Sequence, residues 1–525
     1  MSRIPRPYCA LLAIIAAIFT ALNVSLATVV GALAAPPVYD DNGYLLDAFK
    51  RIAFNHVWSL RTLIADFINN PPHAPVETLT AMIGFWLFGP HNAGPYIANY
   101  WGLLAYAAMM FTVASAWIEA RPALLIAVAA MFVPAAGAII TELRPDMIAG
   151  LFFAFAGYLL LVSEMKPQSI KFALVIGLVC AFAVTIKLSA AVLTIPMIGL
   201  AAIARFFLAG KSWKKETTNL LVMLISAATV VVPVSIVWGP QTYAYIYQTL
   251  VTNKDIWHTP GGWLFHIGYN LTGTGGYAAL GYSLFIGMAL IVSDLIYSLV
   301  KRDLPKRVVS YYLWTTLIFV GLIFTADKSV YQSSFFFFPF IVSSVLACAR
   351  LIGRFPKYSM YASVIVVGTV SFSVSPAHTY QQGIWRNQTA PMLQQIVSIV
   401  KTNALGRDNC LGTKYVYATI GAYPVTAEAV ALSVAQKYNM DLSLQHLFMA
   451  RSLDSITASL KHANFVLLPN GAGTTESRNQ HLPGIEFYDQ VKVWLRGDPA
   501  WTEHQIEAAD PPTLFVRTSC STAAQ

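Results

Sequence analysis

The chain has 525 residues; 56% are hydrophobic, only 11% are charged, and the mean hydropathy is +0.58. An ordinary soluble domain carries about 25% charged residues, so soluble multidomain, disordered, collagenous and cysteine-scaffold classes are excluded for most of the sequence. The net charge of +9 does not point to nucleic acid, because most of the excess lies in short loops between apolar segments.

A helix needs about 20 mostly apolar residues to cross a bilayer. Such windows fall near 8–34, 95–118, 121–140, 146–163, 171–187, 189–208, 218–238, 277–300, 308–325, 334–350 and 358–375. The composition therefore predicts a polytopic α-helical membrane protein with about eleven transmembrane helices. The first window exceeds the apolar core of a signal peptide, about 7–15 residues, and more spans follow it. It reads as an uncleaved span.

Lys and Arg in short loops set the orientation. One set of loops holds sixteen, from Arg3 and Arg6 through Lys214 and Lys215 to Arg354 and Lys357. The opposite set holds seven before residue 376: Lys50, Arg51, Arg61, Arg144, Lys187, Lys254 and Lys328. The amino terminus is thus predicted to be cytoplasmic. After eleven spans, residues 376–525 are predicted to be extracytoplasmic.

The predicted transmembrane domain covers 1–375 and includes two long outer segments, 35–94 and 239–276. Within the first, residues 44–68 alternate Leu45, Phe49, Ile52, Leu60, Ile64 and Phe67 with Asp47, Lys50, Arg51, Asn55, Arg61 and Asp66. That period predicts an amphipathic helix in the membrane interface. Residues 76–89 predict a second, shorter one, closed by Gly89-Pro90. The 239–276 segment is rich in Tyr, Trp and Gly, as interfacial segments are. The tail, 376–525, mixes strand-like runs (415–420, 464–468, 513–516) with helical ones (392–403, 427–437) and predicts a small α/β domain. It holds no dinucleotide fingerprint, Walker motif or metal-finger spacing. Cys9, Cys180 and Cys348 lie in apolar segments. Cys410 and Cys520 lie in the tail and are able to pair in an oxidising compartment. The phenylalanine run 335–338 reads as lipid-facing or packing bulk.

Three polar groups stand out, all on the predicted outer side. Asp40 and Asp41, within Tyr39-Asp40-Asp41-Asn42-Gly43-Tyr44, follow the first span. Arg144-Pro145-Asp146 joins the third and fourth spans. Lys187 joins two short apolar segments. Each has a structural reading: the acids as helix caps, the lysine as a snorkelling side chain. Yet ionisable residues at membrane depth are costly and mark functional sites. The coincidence of all three on one side favours a site.

This order resembles the GT-C glycosyltransferases, closest to the lipid-phosphosugar-dependent branch with protein mannosyltransferases and the lipid A aminoarabinose transferases. The matching residues are Asp40, Asp41 and Tyr44; Pro71, Pro72 and His73, where the family more often shows His-Pro-Pro; Arg144, Pro145 and Asp146; and Lys187. The likeness covers roughly residues 8–350. It implies a glycosyltransferase of the bacterial inner membrane that uses a polyprenyl-phosphate sugar, with the first acid of the pair, Asp40, as base.

The chemistry asks for the same groups. A base must take the proton of the acceptor hydroxyl. Positive charge must stabilise the departing phosphate. The donor's lipid must stay in the bilayer. Asp40 is the expected base, with Asp41 and Asp146 orienting acceptor or sugar. Lys187 and Arg144 are the first candidates for the phosphate, followed by Lys254 and Lys328. Tyr44, His73, Glu77, His258 and His266 are candidate substrate ligands; the histidines and Glu77 are equally candidates for a divalent metal. Asp40, Asp146 and Lys187 are expected to share one cavity open to lipid, and Lys187 is expected to pair with Asp146 or Asp40 when no donor is bound. The acceptor, whether lipid, glycan or protein, is left open. Two competing classes are an O-antigen polymerase or ligase, which favours Arg and His over acids, and a transporter, which favours two related halves. Neither pattern is found.

Overall fold

The computed structural model describes residues 5–30, 33, 40–163, 170–254, 256, 259, 261–273, 275–325, 328–329, 331–371, 389–405, 415–421, 425–479, 481–508 and 510–518. The helices of the first 371 residues are α1 (Arg6–Val30), α2 (Asp40–Ala53), α3 (Leu60–Asn69), α4 (Pro75–Phe88), α5 (Ala93–Ala98), α6 (Tyr100–Ser115), α7 (Ala120–Met131), α8 (Pro134–Thr141) and α9 (Pro145–Leu161). They continue as α10 (Ile170–Thr185), α11 (Ala191–Leu208), α12 (Trp213–Tyr247), α13 (Trp263–Leu271), α14 (Tyr277–Leu280), α15 (Ser283–Val300), α16 (Lys306–Ile323), α17 (Ser334–Gly353) and α18 (Ser359–Ser371). Helix is the expected outcome for apolar segments, because in hydrocarbon every backbone N–H and C=O must be paired inside its own segment.

The chain is a multi-pass membrane protein. Six described helical stretches are long and apolar enough to cross a membrane: Arg6–Val29, Ala93–Ser115, Leu188–Leu208, Trp213–Tyr247, Ser283–Val300 and Ser334–Gly353. The pair α7–α8, bent by 67°, has the length and apolar character of a seventh if the two form one broken span. The other predicted spans hold shorter or more polar helices. Helix α12 is longer than its predicted window: its 35 residues extend about 50 Å at 1.5 Å per residue.

The chain divides into two compact units. The first comprises Met1–Asn23, Ala74–Val76 and Asn99–Pro376. Its centre is α17, buried along nearly its whole length, against α9, also buried. The run Phe335–Phe338 belongs to this core, which decides between packing and lipid contact. Close approach of the two helices requires Gly150, since a Cβ there would stand 2.8 Å from the Ser334 carbonyl oxygen. Helices α11, α12 and α15 leave apolar side chains such as Val192, Leu224, Ile236 and Val292 exposed, as lipid contact demands. A largely apolar cleft lies among α7, α15, α17 and α18, lined by Ala129, Ile286, Phe340 and Val366 among others.

The second unit comprises Val24–His73, Glu77–Ala98 and Ala377–Gln525. The amphipathic stretch predicted as one helix over 44–68 is two, α2 and α3. The chain turns at His56, whose φ is 52°, and Ser59 with Thr62 closes a capping box that restarts the helix. Helix α3 keeps Leu60, Ile64 and Ile68 exposed as a stripe. The predicted outer loop 239–276 is also largely helical, through the end of α12, a π turn at Gln248–Thr252 and α13.

The tail forms α19 (Ala390–Leu405), β1 (Tyr415–Thr419), α20 (Ala427–Tyr438), β2 (Leu442–His446), α21 (Leu453–Leu460), β3 (Phe465–Leu468), α22 (Gly471–Asn479), α23 (Tyr488–Gly497), β4 (Trp501–Gln505) and β5 (Thr513–Arg517). The five strands order as β2-β1-β3-β5-β4. Strands β2, β1 and β3 run parallel, and β5 and β4 add antiparallel. The α/β character matches the expectation. Cys410 and Cys520 lie outside the described residues.

Candidate functional site

In the first unit the polar groups gather at the amino-terminal end of α9. After α8 the chain is extended through Glu142 and Arg144, and Pro145 starts α9, where a missing N–H costs nothing. Asn99 holds this stretch by donating to the carbonyls of Ile140 and Glu142, each at 3.4 Å. Asp146 follows in the first turn, where the helix dipole favours a carboxylate. The Ser334 hydroxyl donates to the Asp146 carbonyl at 2.8 Å. Arg144 lies over the Tyr331 ring, 4.1 Å from its centroid.

Lys187 occupies the break between α10 and the short turn Leu188–Ala190 that precedes α11. Its ammonium donates to Asp146 Oδ1 at 2.5 Å. One of the two expected partners, Asp146, and the expected break between helices are found. The side chain of Asp146 is 5% exposed and that of Lys187 is 26% exposed, so the carboxylate is sealed and the lysine is the more accessible partner.

In the second unit Asp40 opens α2; its side chain lies outside the described residues, as does all of His258. Asp41 is buried and accepts from the hydroxyl of Tyr96, a fully buried residue of α5, at 3.0 Å. Tyr44 is buried with its ring parallel to that of His73, centroids 6.3 Å apart. Glu77 is buried in the first turn of α4. Asp47, two turns along α2, accepts from Thr78 at 3.0 Å and from Arg51 at 3.0 Å. Arg51 also bridges to Asp66 of α3 and donates to the Asn70 carbonyl at 2.8 Å.

No family model and no curated protein matches the sequence. Solved structures do. ArnT from Cupriavidus metallidurans bound to undecaprenyl phosphate is similar with a TM-score of 0.60 at 12% identity, over 97% of this chain and 99% of that one. Its apo state gives 0.60 at 13% identity, over 97% and 98%. This chain has the GT-C fold. The Archaeoglobus fulgidus oligosaccharyltransferase, in complex with Zn and sulfate, is similar over 90% of this chain and 69% of that one, with a TM-score of 0.50 at 10% identity.

Within this GT-C fold, the expected residues fall into distinct environments. Asp146, Lys187 and Arg144 occupy the α9 end. Asp41, Tyr44, His73 and Glu77 belong to the second unit. Lys328 is engaged elsewhere: its ammonium donates to the carbonyls of Leu322 at 2.9 Å and Ile323 at 3.3 Å, closing the end of α16. Lys254 is exposed beyond the π turn. His266 lies on α13, with a buried Nδ1 that has no hydrogen-bond partner among the described residues. Among the described residues, no three His, Cys, Asp or Glu side chains gather as metal ligands do. Tyr96, Tyr331 and Ser334 were missed. Tyr331 sits in the polar junction between two predicted spans; Tyr96 and Ser334 lie at the start of predicted spans, and nothing in their neighbourhood marks them.

Proposed function

We propose that the protein is an inverting glycosyltransferase that moves a sugar from a polyprenyl-phosphate donor to an acceptor hydroxyl. It works at the extracytoplasmic face of a bacterial inner membrane, with the amino terminus cytoplasmic. The observation that carries this reading is the Lys187–Asp146 pair at the start of α9. A compact ammonium suits a phosphate oxygen, and this one is held by a sealed carboxylate until a phosphate replaces it. Support also comes from ArnT, a protein of the same fold solved with undecaprenyl phosphate.

In the reaction, Asp40 accepts the proton of the acceptor hydroxyl. The hydroxyl oxygen bonds to the anomeric carbon as the bond from that carbon to the phosphate oxygen breaks. The electron pair stays on the phosphate, where Lys187 and Arg144 stabilise it. A single displacement inverts the anomeric centre. Asp41 and Asp146 orient sugar or acceptor, and Tyr44, His73, Glu77, His258 and His266 are the candidate sugar ligands. The carboxy-terminal α/β domain is extracytoplasmic in this arrangement.

Mass spectrometry of lipid retained by the purified protein tests the class. A polyprenyl phosphate or its sugar adduct is expected. If none is retained, and undecaprenyl-phosphate-linked glucose, mannose and aminoarabinose all stay intact with the enzyme, the reading fails. With an accepted donor, Asp40→Asn is expected to lower turnover about 10²–10⁴-fold with the protein still folded. Full activity of Asp40→Asn beside an inactive Asp41→Asn would move the base to Asp41.

A further inference from the structure

We propose that the carboxy-terminal α/β domain is part of the acid site, and that Thr426 is a positioning residue for Asp41 through Asn42. This rests on the reading of the acidic pair given above.

Helix α20 is buried almost all round: Ala427 and every residue from Ala429 to Ala435 are inside. Such a helix has no solvent face to offer. One side packs on β1 and β2, and another on α2. Its small side chains allow α2 to come close. At the start of both helices, Asn42 Nδ2 donates to Thr426 Oγ1 at 3.3 Å. Asn42 is 1% exposed and Thr426 is buried, so this bond is shielded from water. At the far ends, Lys50 forms an ion pair with Asp441 at 2.6 Å and donates to the Leu442 carbonyl at 2.6 Å. The two helices therefore run in the same direction, tied at both ends, and rotation of α2 about its own axis is blocked.

A third tie reaches the other partner of the acid. Gln436 of α20 donates to Asn92 Oδ1 at 2.8 Å, in the turn that leads into α5. Helix α5 carries Tyr96, whose hydroxyl holds Asp41. Helix α20 thus grips both elements whose side chains meet at Asp41. Thr426 also caps α20, accepting from the Ala429 N–H at 3.2 Å. One hydroxyl joins the fold of the tail to the setting of the acid. Misplacement of a reacting group by about 1 Å costs on the order of a hundredfold, so a tie one residue from Asp41 acts on rate.

The test uses the full-length protein in lipid nanodiscs. Hydrolysis of the accepted undecaprenyl-phosphate sugar to free sugar and undecaprenyl phosphate is followed. Asn42→Ala leaves the α20 cap intact, and Thr426→Val removes the acceptor at constant shape. Each is expected to lower kcat about tenfold to a hundredfold, with KM for the donor within about twofold of wild type. Thr426→Ser is expected to restore kcat. The double variant is expected to be no slower than the slower single one, because both remove one bond. Wild-type kcat in Asn42→Ala and Thr426→Val, or losses that multiply, overturns the proposal, as does a change confined to KM. Asp40→Asn and Asp41→Asn run in parallel. If both keep full turnover, the acid-site reading itself fails; if they are inactive while the Asn42 and Thr426 variants are normal, only this inference falls.

Discussion

Helix α9 carries an ion pair at each end, and the two are built differently. At its carboxy-terminal end Arg205 is 1% exposed and bridges to Glu216. Its guanidinium also donates to the carbonyls of Leu159 at 3.0 Å, Leu160 at 2.7 Å and Ser163 at 3.3 Å. A planar fork with five donors suits such a cluster, and a cation there complements the dipole. Arg350 repeats the pattern, sealed between Asp294, Ser298 and Trp117. At the amino-terminal end the cation is a lysine, and a quarter of its side chain is accessible. A sealed guanidinium holds the framework. A partly accessible lysine beside a sealed carboxylate is able to exchange partners with an incoming anion.

The largest expected effect breaks the framework end. Arg205→Ala strands the Glu216 carboxylate and removes a donor from three carbonyls, and removal of one partner of a buried pair costs about 3–5 kcal/mol. Thermal unfolding in detergent is expected to show a large drop in Tm or no folded protein. Arg205→Met combined with Glu216→Leu removes both charges and is expected to recover most of that loss. The carbonyl contacts stay lost. Recovery by the double variant in stability but not at the Lys187 end in turnover would sharpen the contrast between framework and site.

Asp146→Asn is expected to act in the opposite way. It frees Lys187 from a competing anion, so affinity for undecaprenyl phosphate should hold or tighten. Turnover should fall about tenfold to a hundredfold if the carboxylate also orients the reactants. Titration calorimetry and donor consumption separate the two. Weaker binding would mean that Asp146 serves to fold the break at Lys187 and not to keep it available.

The smallest effect belongs to a third kind of pair, on the surface of the tail. Arg496 forks onto Glu503 through two 2.7 Å bonds, and this hydrogen bonding holds the Glu503 carboxyl below its usual range. A lowered carboxylate pKa contributes stability above the unfolded value, about 4.3, and the contribution is lost as pH falls through the folded value. Glu503→Gln should therefore unfold slightly earlier than wild type at neutral pH and together with it in acid. Exposed pairs contribute little, so a large difference would contradict the distinction drawn between sealed and exposed charges.

How far the sequence reveals this arrangement depends on periodicity. Strands β1, β3 and β5 sit inside the sheet order and carry near-continuous apolar runs, so all three are legible. Strands β2 and β4 are its edges. In β4 Glu503 and His504 leave no apolar alternation, and in β2 the alternation Leu442-Ser443-Leu444-Gln445 is only four residues long; both were missed. The break between α2 and α3 was hidden because the apolar period continues across Asn55–Ser59 while the backbone turns at His56. In the site, Asp146 and Lys187 were legible as charges at span ends, and cost alone called for a partner to Lys187, either Asp146 or Asp40. Tyr96 and Thr426 were not, because a buried hydroxyl leaves no periodic trace. Thr426 is marked only as a helix cap, which says nothing of Asn42 nearly four hundred residues away.

Lys187→Gln tests the central claim most directly, because it removes the charge and keeps a polar side chain only one atom shorter. Affinity for undecaprenyl phosphate and turnover of the accepted donor are measured beside wild type in nanodiscs. The expected result is weaker phosphate binding, and turnover lower by about a hundredfold to a thousandfold, as for loss of one preorganised stabilising group, with the protein still folded. Wild-type values for both binding and turnover would contradict the assignment of the α9 end to the donor phosphate.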